Sequence, residues 1–486
     1  MNACPNTSTP AAEADDATAP GRCQREPASF RDRTARVFYL DNAVCRGLSD
    51  DAWEEWQALS RTSFFKRSLD EGRVIGTEML SPAGPAAVGL PVEWKAVLRH
   101  RTVPFVSYPY EWCFGMLKDA ALLQLELLAA ALDEGMTLKD ASPFNVQWLG
   151  SRPVFIDVAS FVRWRAGEPW VGYRQFCRMF LYPLLLQAYK QLPFQPWLRG
   201  RLDGIDAEEC RALMSLRDLL RPGVLTHVLL QSRLQRRYGA DGRDVRQELK
   251  SAGFDRALIA ANVARLRKLV RALDWTPDAS AWTDYAWQNS YDPLDAQTKE
   301  EFVARALQAR RRSLVWDLGC NTGRFSMMAV EHADHVVAVD SDHASIERLY
   351  QTLKASESTN VLPLVLDVTD PSPRLGWRGL ERRAMIDRGR PDLVLCLALV
   401  HHLVITSNIP LEDVVDWFHE LGGELIVEFP TRDDEMVTRL LQNKDQAYDD
   451  YRTECFEACL ARHFELQQRV VLPSGRRILY HARPRL

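Results

Sequence analysis

The sequence predicts an α/β chain in two parts, an α+β N-terminal domain and a C-terminal domain whose mostly parallel sheet closes with a late antiparallel strand. Three observations point there. From residue 301 onward, short apolar runs alternate with amphipathic stretches, the pattern of βαβ units that build a parallel sheet. Over residues 36–239, strand-like pieces surround one long apolar helix instead. Finally, 486 residues are too many for one ordinary core.

The elements follow in chain order. Residues 1–35 are rich in Ala, Pro, Thr and Asp with almost no large apolar side chains, so they are expected to form a disordered tail. Within 36–239, GRVIGTEML (72–80), VPFVSYPYEW (103–112) and RPVFIDVASF (152–161) read as strand-like. GMLKDAALLQLELLAAALDEG (115–135) reads as a helix, because Leu117, Ala121, Leu125, Leu128 and Leu132 recur at three- and four-residue steps on one face. Residues 240–300 are expected to be a helical connector closing with the aromatic-rich WTDYAWQNSYDP. The C-terminal domain, 301–486, shows the strands LVWDLG, HVVAVD, VLPLVLD, DLVLCLALV and ELIVEF, then a pair around FELQQRVVL and RRILYHA. No internal repeat is visible.

Composition narrows the function. A hydrophobic share of 46% and a charged share of 26% are those of a globular protein. A net charge of −4 argues against a dedicated nucleic-acid binder, which needs a basic face. Ten cysteines include no CxxC pair, and Cys455 and Cys459 have no histidine partner at zinc-site spacing, so no metal site is expected and the thiols read as reduced. The run MFLYPLLL (179–186) falls short of the ~20 residues that span a bilayer. The N-terminus has neither a basic n-region nor an apolar core, and a soluble cytoplasmic protein is expected.

The chemistry-bearing stretch is DLGCNTG (317–323), where a strand turns into a helix with its backbone left open. Its glycines are spaced G-x-x-x-G, with an acid two residues before the first. A dinucleotide fingerprint needs G-x-G-x-x-G, and a P-loop needs GK[ST], which is absent. The stretch resembles motif I of the Rossmann-like class I S-adenosylmethionine-dependent methyltransferases. The resemblance implies S-adenosylmethionine as cofactor, with Asp317, Gly319, Cys320, Asn321 and Gly323 shaping its methionine end. It places Asp340 and Ser341, ending the second strand, at the ribose, and Asp367 and Val368, ending the third, at the adenine, with Leu397 beside the cofactor on the fourth. His401 and His402 fall where the family lines the methyl-transfer site, and a neutral imidazole is the candidate base. Adjacent residues leaving a strand point opposite ways, so only one of the two is expected to face the acceptor. Tyr285, Trp287 and Tyr291 correspond to a helix that folds over the cofactor, and Glu428 is placed to orient an amine or contact the loop. The insertion PSPRLGWRGLERRAMIDRG (371–389) reads as a solvated charged helix.

A second resemblance lies in TLKDASPFNVQWLGSRPVFIDVASF (137–161), which is similar to the catalytic loop of protein-kinase-like and aminoglycoside-phosphotransferase-like folds. It would give Asp140 the acceptor hydroxyl, and Asn145 and Asp157 the magnesium. The pattern departs where the usual histidine is Leu138 and the metal-loop glycine is Ala159. The only lysines upstream in that region, Lys66 and Lys95, lie outside a V-A-I-K-like strand. A degenerate lobe serving as scaffold or substrate platform is the expectation. Its combination with such a C-terminal domain resembles a bacterial family with members described as nodulation-related. A small-molecule acceptor, methylated on oxygen, nitrogen or thioether sulfur, is expected, with no nucleic acid and no membrane as partner. An ATP-dependent phosphotransferase, a bifunctional enzyme and a non-catalytic cofactor binder are the alternatives.

Overall fold

The computed structural model describes residues 23–40, 43–80, 94–233, 255–276, 292–442, 444 and 448–485. The chain divides into two compact units, Met1–Trp53 with Thr77–Thr102, and Glu54–Gly76 with Val103–Leu486. The division falls inside the stretch 36–239, so most of that stretch shares a unit with the C-terminal domain.

The first unit holds an antiparallel sheet of β1 (Gln24–Arg25), β2 (Ala35–Leu40), β3 (Ala43–Leu48), β4 (Thr77–Met79) and β5 (Ala96–His100), in the order β1-β2-β3-β5-β4. Phe38, Cys45, Trp94 and Val97 form its core. Part of the expected tail is ordered here: Gln24 pairs with Tyr39 across β1–β2, and the Tyr39 hydroxyl donates to Glu26 at 2.5 Å. Residues 1–22 lie outside the described residues.

In the second unit, α1 (Phe114–Asp133) is the helix read from the leucine pattern, and it is buried around most of its circumference rather than on one face. Two short antiparallel ladders follow, β6 (Met136–Leu138) with β9 (Phe161–Arg163), and β7 (Val146–Leu149) with β8 (Arg152–Phe155). VPFVSYPYEW is not a strand. Pro104 and Pro109 cannot donate to a ladder, and the segment is irregular with a 3-10 turn at Pro109–Glu111, while the strand forms upstream as β5. GRVIGTEML likewise keeps only β4 and an isolated bridge from Val74 to Phe155.

The C-terminal sheet has seven strands: β10 (Arg312–Leu318), β11 (Ala333–Asp340), β12 (Val361–Val365), β13 (Leu393–Cys396), β14 (Glu424–Pro430), β15 (Phe464–Val471) and β16 (Arg477–Pro484). Their order is β12-β11-β10-β13-β14-β16-β15, with the first five parallel and β16 antiparallel to both neighbours. This is the sheet of the class I methyltransferase fold. β12 and β13 are buried along their whole length, as befits strands covered on both faces. Helices α2 (Pro293–Gln308), α3 (Arg324–Val330), α4 (His343–Ala355), α5 (Leu411–Leu421) and α6 (Thr453–His463) accompany the sheet. Strand order reverses between β10 and β13, and such a reversal opens a crevice beyond the carboxyl ends of the strands.

The insertion after β12 is not a solvated helix. It makes 3-10 turns at Trp377–Gly379 and Met385–Arg388, and its Arg388 is buried against Glu111, donating to both carboxylate oxygens at 2.8 and 2.6 Å. A bidentate pair with a carboxylate holds an arginine inside where a solvated helix would leave it in water.

Candidate active site at the strand ends

The site begins at the turn from β10 into α3. Gly319 and Gly323 have φ of +74° and +84°, a region that L side chains rarely adopt. At Gly323 space is short as well, since a Cβ would lie 2.5 Å from a Leu349 methyl. The turn is tied to β11: the Gly319 and Cys320 amides donate to the Val339 carbonyl at 2.9 and 3.0 Å. The Asn321 amide donates to Asp340 Oδ2 at 2.8 Å, while Asp340 Oδ1 accepts the Asp342 amide at 2.9 Å. Each carboxylate oxygen has a second lone pair to offer a ligand.

The turn opens on a cavity of about 460 Å³. Of the residues singled out from sequence, Asp317, Gly319, Cys320, Asn321, Asp340, Ser341, Asp367, Val368, Leu397 and His402 line it. Gly323, His401 and Glu428 do not: Gly323 starts the helix, and the other two are fully buried behind the wall. Tyr285, Trp287 and Tyr291 lie outside the described residues.

Asp317 is 2% exposed and accepts the Ser326 hydroxyl at 2.5 Å. Burial, with Asp340 adding to it, pushes its carboxyl up to about 6 against the lowering pull of Ser326 and Lys299. Burial also holds the Asp340 carboxyl above its ordinary value, although the Asp342 and Asn321 amides oppose the shift.

Among the lining residues that sequence reading missed, which include Arg324, Phe325 and Leu399, Lys299 is the buried cation. It stands on α2 along the stripe Asp295, Lys299, Phe302, Val303 and Ala306, all buried. A lysine on that face needs a buried partner, which was the available signal. The partner is Glu428, 0% exposed, which takes Lys299 Nζ at 2.6 Å on one oxygen and Arg477 Nη1 at 3.2 Å on the other. Arg477 Nε in turn meets Asp434 Oδ2 at 2.7 Å. Glu428 and Asp434 together balance the two buried cations, Lys299 and Arg477. Lys299 also sits 4.9 Å over the ring of Phe325, another lining residue. Burial lowers the lysine below its ordinary value, and Glu428 works against that.

β13 ends at Cys396, and the chain passes through Ala398, at φ +54°, into the π-type turn His402–Thr406. The two histidine rings stand 4.1 Å apart, with His402 on the cavity wall and His401 behind it. Burial, then Arg477, lowers His402 to about 4. His401 is held well below its ordinary value, chiefly by burial, and neither of its ring nitrogens has a hydrogen-bond partner among the described residues. Both imidazoles are neutral at pH 7.

Asp140, Asn145 and Asp157 lie on two loops joined by backbone bonds, Lys139 N to the Ser160 carbonyl at 2.9 Å and Ile156 N to the Asn145 carbonyl at 2.9 Å. Lys66 and Lys95 are exposed. Among the described residues, no group of three His, Cys, Asp or Glu side chains is arranged to hold a metal ion, and no helix is long and apolar enough to cross a membrane.

Compared with known proteins, the chain matches no family model. It is 33% identical over 459 residues, 94% of this chain and 95% of the relative, to nodulation protein NoeA of Rhizobium meliloti (strain 1021). A shorter stretch of 76 residues, 15% of this chain and 17% of the relative, is 29% identical to the 23S rRNA (uracil(1939)-C(5))-methyltransferase RlmD of Legionella pneumophila (strain Corby). Among solved structures, the N-methyltransferase NodS of Bradyrhizobium japonicum WM9, in complex with S-adenosyl-L-homocysteine, is matched with a TM-score of 0.31 and 15% identity, over 42% of this chain and 93% of that one. Magnesium protoporphyrin IX methyltransferase of Synechocystis PCC 6803 is matched with a TM-score of 0.28 and 19% identity, over 39% of this chain and 84% of that one.

Proposed function

The chain belongs to the family of nodulation protein NoeA, and from that premise we propose that it transfers a methyl group from S-adenosylmethionine to a small-molecule acceptor in specialised metabolism, as a soluble cytoplasmic enzyme. The observation that carries the reading is the convergence of Asp317, Asp340 and Asp367, from the ends of three adjacent strands, on one cavity at the switch point of the sheet.

The donor set suits the cofactor. Three carboxylates and two cations that are both already paired, Lys299 with Glu428 and Arg324 with Glu300, favour a ligand with a sulfonium, an ammonium, a carboxylate and a ribose diol over a pyrophosphate, which would want free cations. Asp340 would accept the ribose hydroxyls, Asp367 and Val368 would border the adenine, and Asp317 and Lys299 would face the charged methionine end. When bound, the cofactor supplies an electrophilic methyl group for in-line displacement.

The remaining residues hold and shield the acceptor. Leu397, Leu399, Leu403 and Phe325 exclude water from the wall, so positioning accounts for much of the rate. His402, neutral and half-buried, offers a lone pair to an N–H or O–H on the acceptor. An imidazole lowered to about 4 is a weak base. It therefore suits orienting an acceptor that reacts as the neutral molecule, such as an uncharged amine, better than abstracting a proton from a hydroxyl. The acidic balance of the chain favours a small metabolite over nucleic acid.

Calorimetric titration with S-adenosylmethionine, and in parallel with ATP and magnesium, tests the proposal. Binding of the first alone is expected, followed by methyl-label transfer in an acceptor screen. Binding of ATP alone would move the activity to the loop of Asp140, Asn145 and Asp157.

A further inference from the structure

Two elements flank the side of the cavity assigned to adenosine, helix α4, which follows directly on Asp340 and Ser341, and the loop following β12 through Asp367. Both are held by residues 103–200, far upstream in sequence. On α4, Glu347 accepts the Gly115 amide at 2.8 Å, and Asp119 accepts Tyr350 and Lys354 at 2.6 and 2.5 Å. At the far end of α4, the Ser151 amide and hydroxyl donate to the Ser358 carbonyl at 3.0 and 2.8 Å. Gly150 leaves no room there for a side chain, since a Cβ would lie 2.3 Å from the Thr359 carbonyl carbon.

The loop after β12 is tied at three successive residues. Asp367 first closes its own turn by accepting the Thr369 amide and hydroxyl at 2.8 and 2.7 Å. Arg199 then forks onto Asp370, meeting its two carboxylate oxygens at 3.0 and 2.9 Å, and onto the Asp370 and Pro371 carbonyls at 3.1 and 3.2 Å. Ser372 donates to Glu111, the same carboxylate that holds Arg388. None of these bonds lies within the seven-stranded ladder. They fix a surface loop that would otherwise bear its ordering cost at the moment of binding.

We propose that residues 103–200 are the scaffold of the adenosine half of the site, with Arg199 as the positioning residue for the Asp367 loop. The proposal rests on the cavity being the cofactor site. It gives the kinase-like segment a role that needs no nucleotide. The Arg199 side chain is 31% exposed and that of Asp370 is 73% exposed, so the pair adds little to global stability and its removal acts locally.

The test is Arg199→Ala in the full-length chain, read in two ways. Hydrogen exchange of the peptide covering 367–373 should quicken about tenfold. KM for S-adenosylmethionine should rise about three- to tenfold with kcat within about twofold, the signature of lost ground-state binding. The reversed pair Arg199→Asp with Asp370→Arg, which restores the ion pair but not the bonds to the two carbonyls, should recover both in part. Exchange and KM at the wild-type level in Arg199→Ala would overturn the proposal. A wild-type chain that binds no S-adenosylmethionine would refute the reading of the cavity instead, and the exchange rates alone would then judge the clamp.

Discussion

Replacing Asp340 with alanine removes the group on which the ribose reading depends. Its two oxygens hold the Asn321 and Asp342 amides at 2.8 and 2.9 Å, and their remaining lone pairs are offered to the cavity. Hydrogen bonds to a charged acceptor contribute about 1.5–3 kcal/mol each, so two ribose hydroxyls set a ceiling of about 3–6 kcal/mol. The net loss is smaller for two reasons. Burial holds this carboxyl above its ordinary value, so the native site carries a desolvation cost that alanine relieves, and water can reach the freed groups. A loss of about 1.4–2.8 kcal/mol remains, a ten- to hundredfold weaker Kd. Calorimetric titration of wild type and Asp340→Ala with S-adenosylmethionine and S-adenosylhomocysteine at pH 7.5 measures it, with circular dichroism confirming that the variant folds. A Kd within about twofold of wild type would refute the assignment of the ribose to Asp340.

Glu428→Gln leaves Lys299 and Arg477 short of a buried counter-charge and should cost about 3–5 kcal/mol of stability in urea unfolding; a change under about 1 kcal/mol would show that the cations find other partners. Asp317 titrates up to about 6, above its unfolded value, so its contribution to stability is greatest below that unfolded value and declines as pH rises toward about 6. If the cationic end of the cofactor meets the ionised form, affinity should strengthen from pH 5 to 7 with proton release, and Asp317→Asn should flatten that dependence. The His401 imidazole is buried with both nitrogens unpartnered among the described residues, so His401→Leu should raise stability by about 1 kcal/mol at neutral pH. Because the native ring is held well below its unfolded value, it favours the folded state only above that value and loses this as pH falls, so the gain should be larger at pH 5. Paired urea titrations at the two pH values check both statements.

The C-terminal sheet was legible because its signal is local. Apolar runs ending in Asp317, Asp340 and Asp367, with glycines where φ turns positive, are written in adjacent residues, and the strands follow from them. Lys299 was not legible as a cavity residue, because α2 supplies only a lysine on an apolar stripe and the glutamate that pairs with it stands 129 residues later. Of His401 and His402 only the second lines the cavity, and strand alternation is not what separates them. They leave the strand through a left-handed residue into a π-type turn, so helical rather than strand geometry sets them apart. VPFVSYPYEW misled through its aromatic and β-branched content, which its two prolines overrode.

Patterning along the chain thus determined the parallel sheet and the acids at its strand ends, since periodicity, turn chemistry and strand-end acids depend on neighbouring residues. Only the tertiary structure decided the strand order with its switch point, the buried Lys299–Glu428–Arg477 cluster, the burial of Arg388 on Glu111 and the anchoring of α4 and the Asp367 loop by residues 103–200. The pairings depend on charges brought together across 49 to 277 residues, where removal from water makes each pairing obligatory and local sequence carries no trace of the partner.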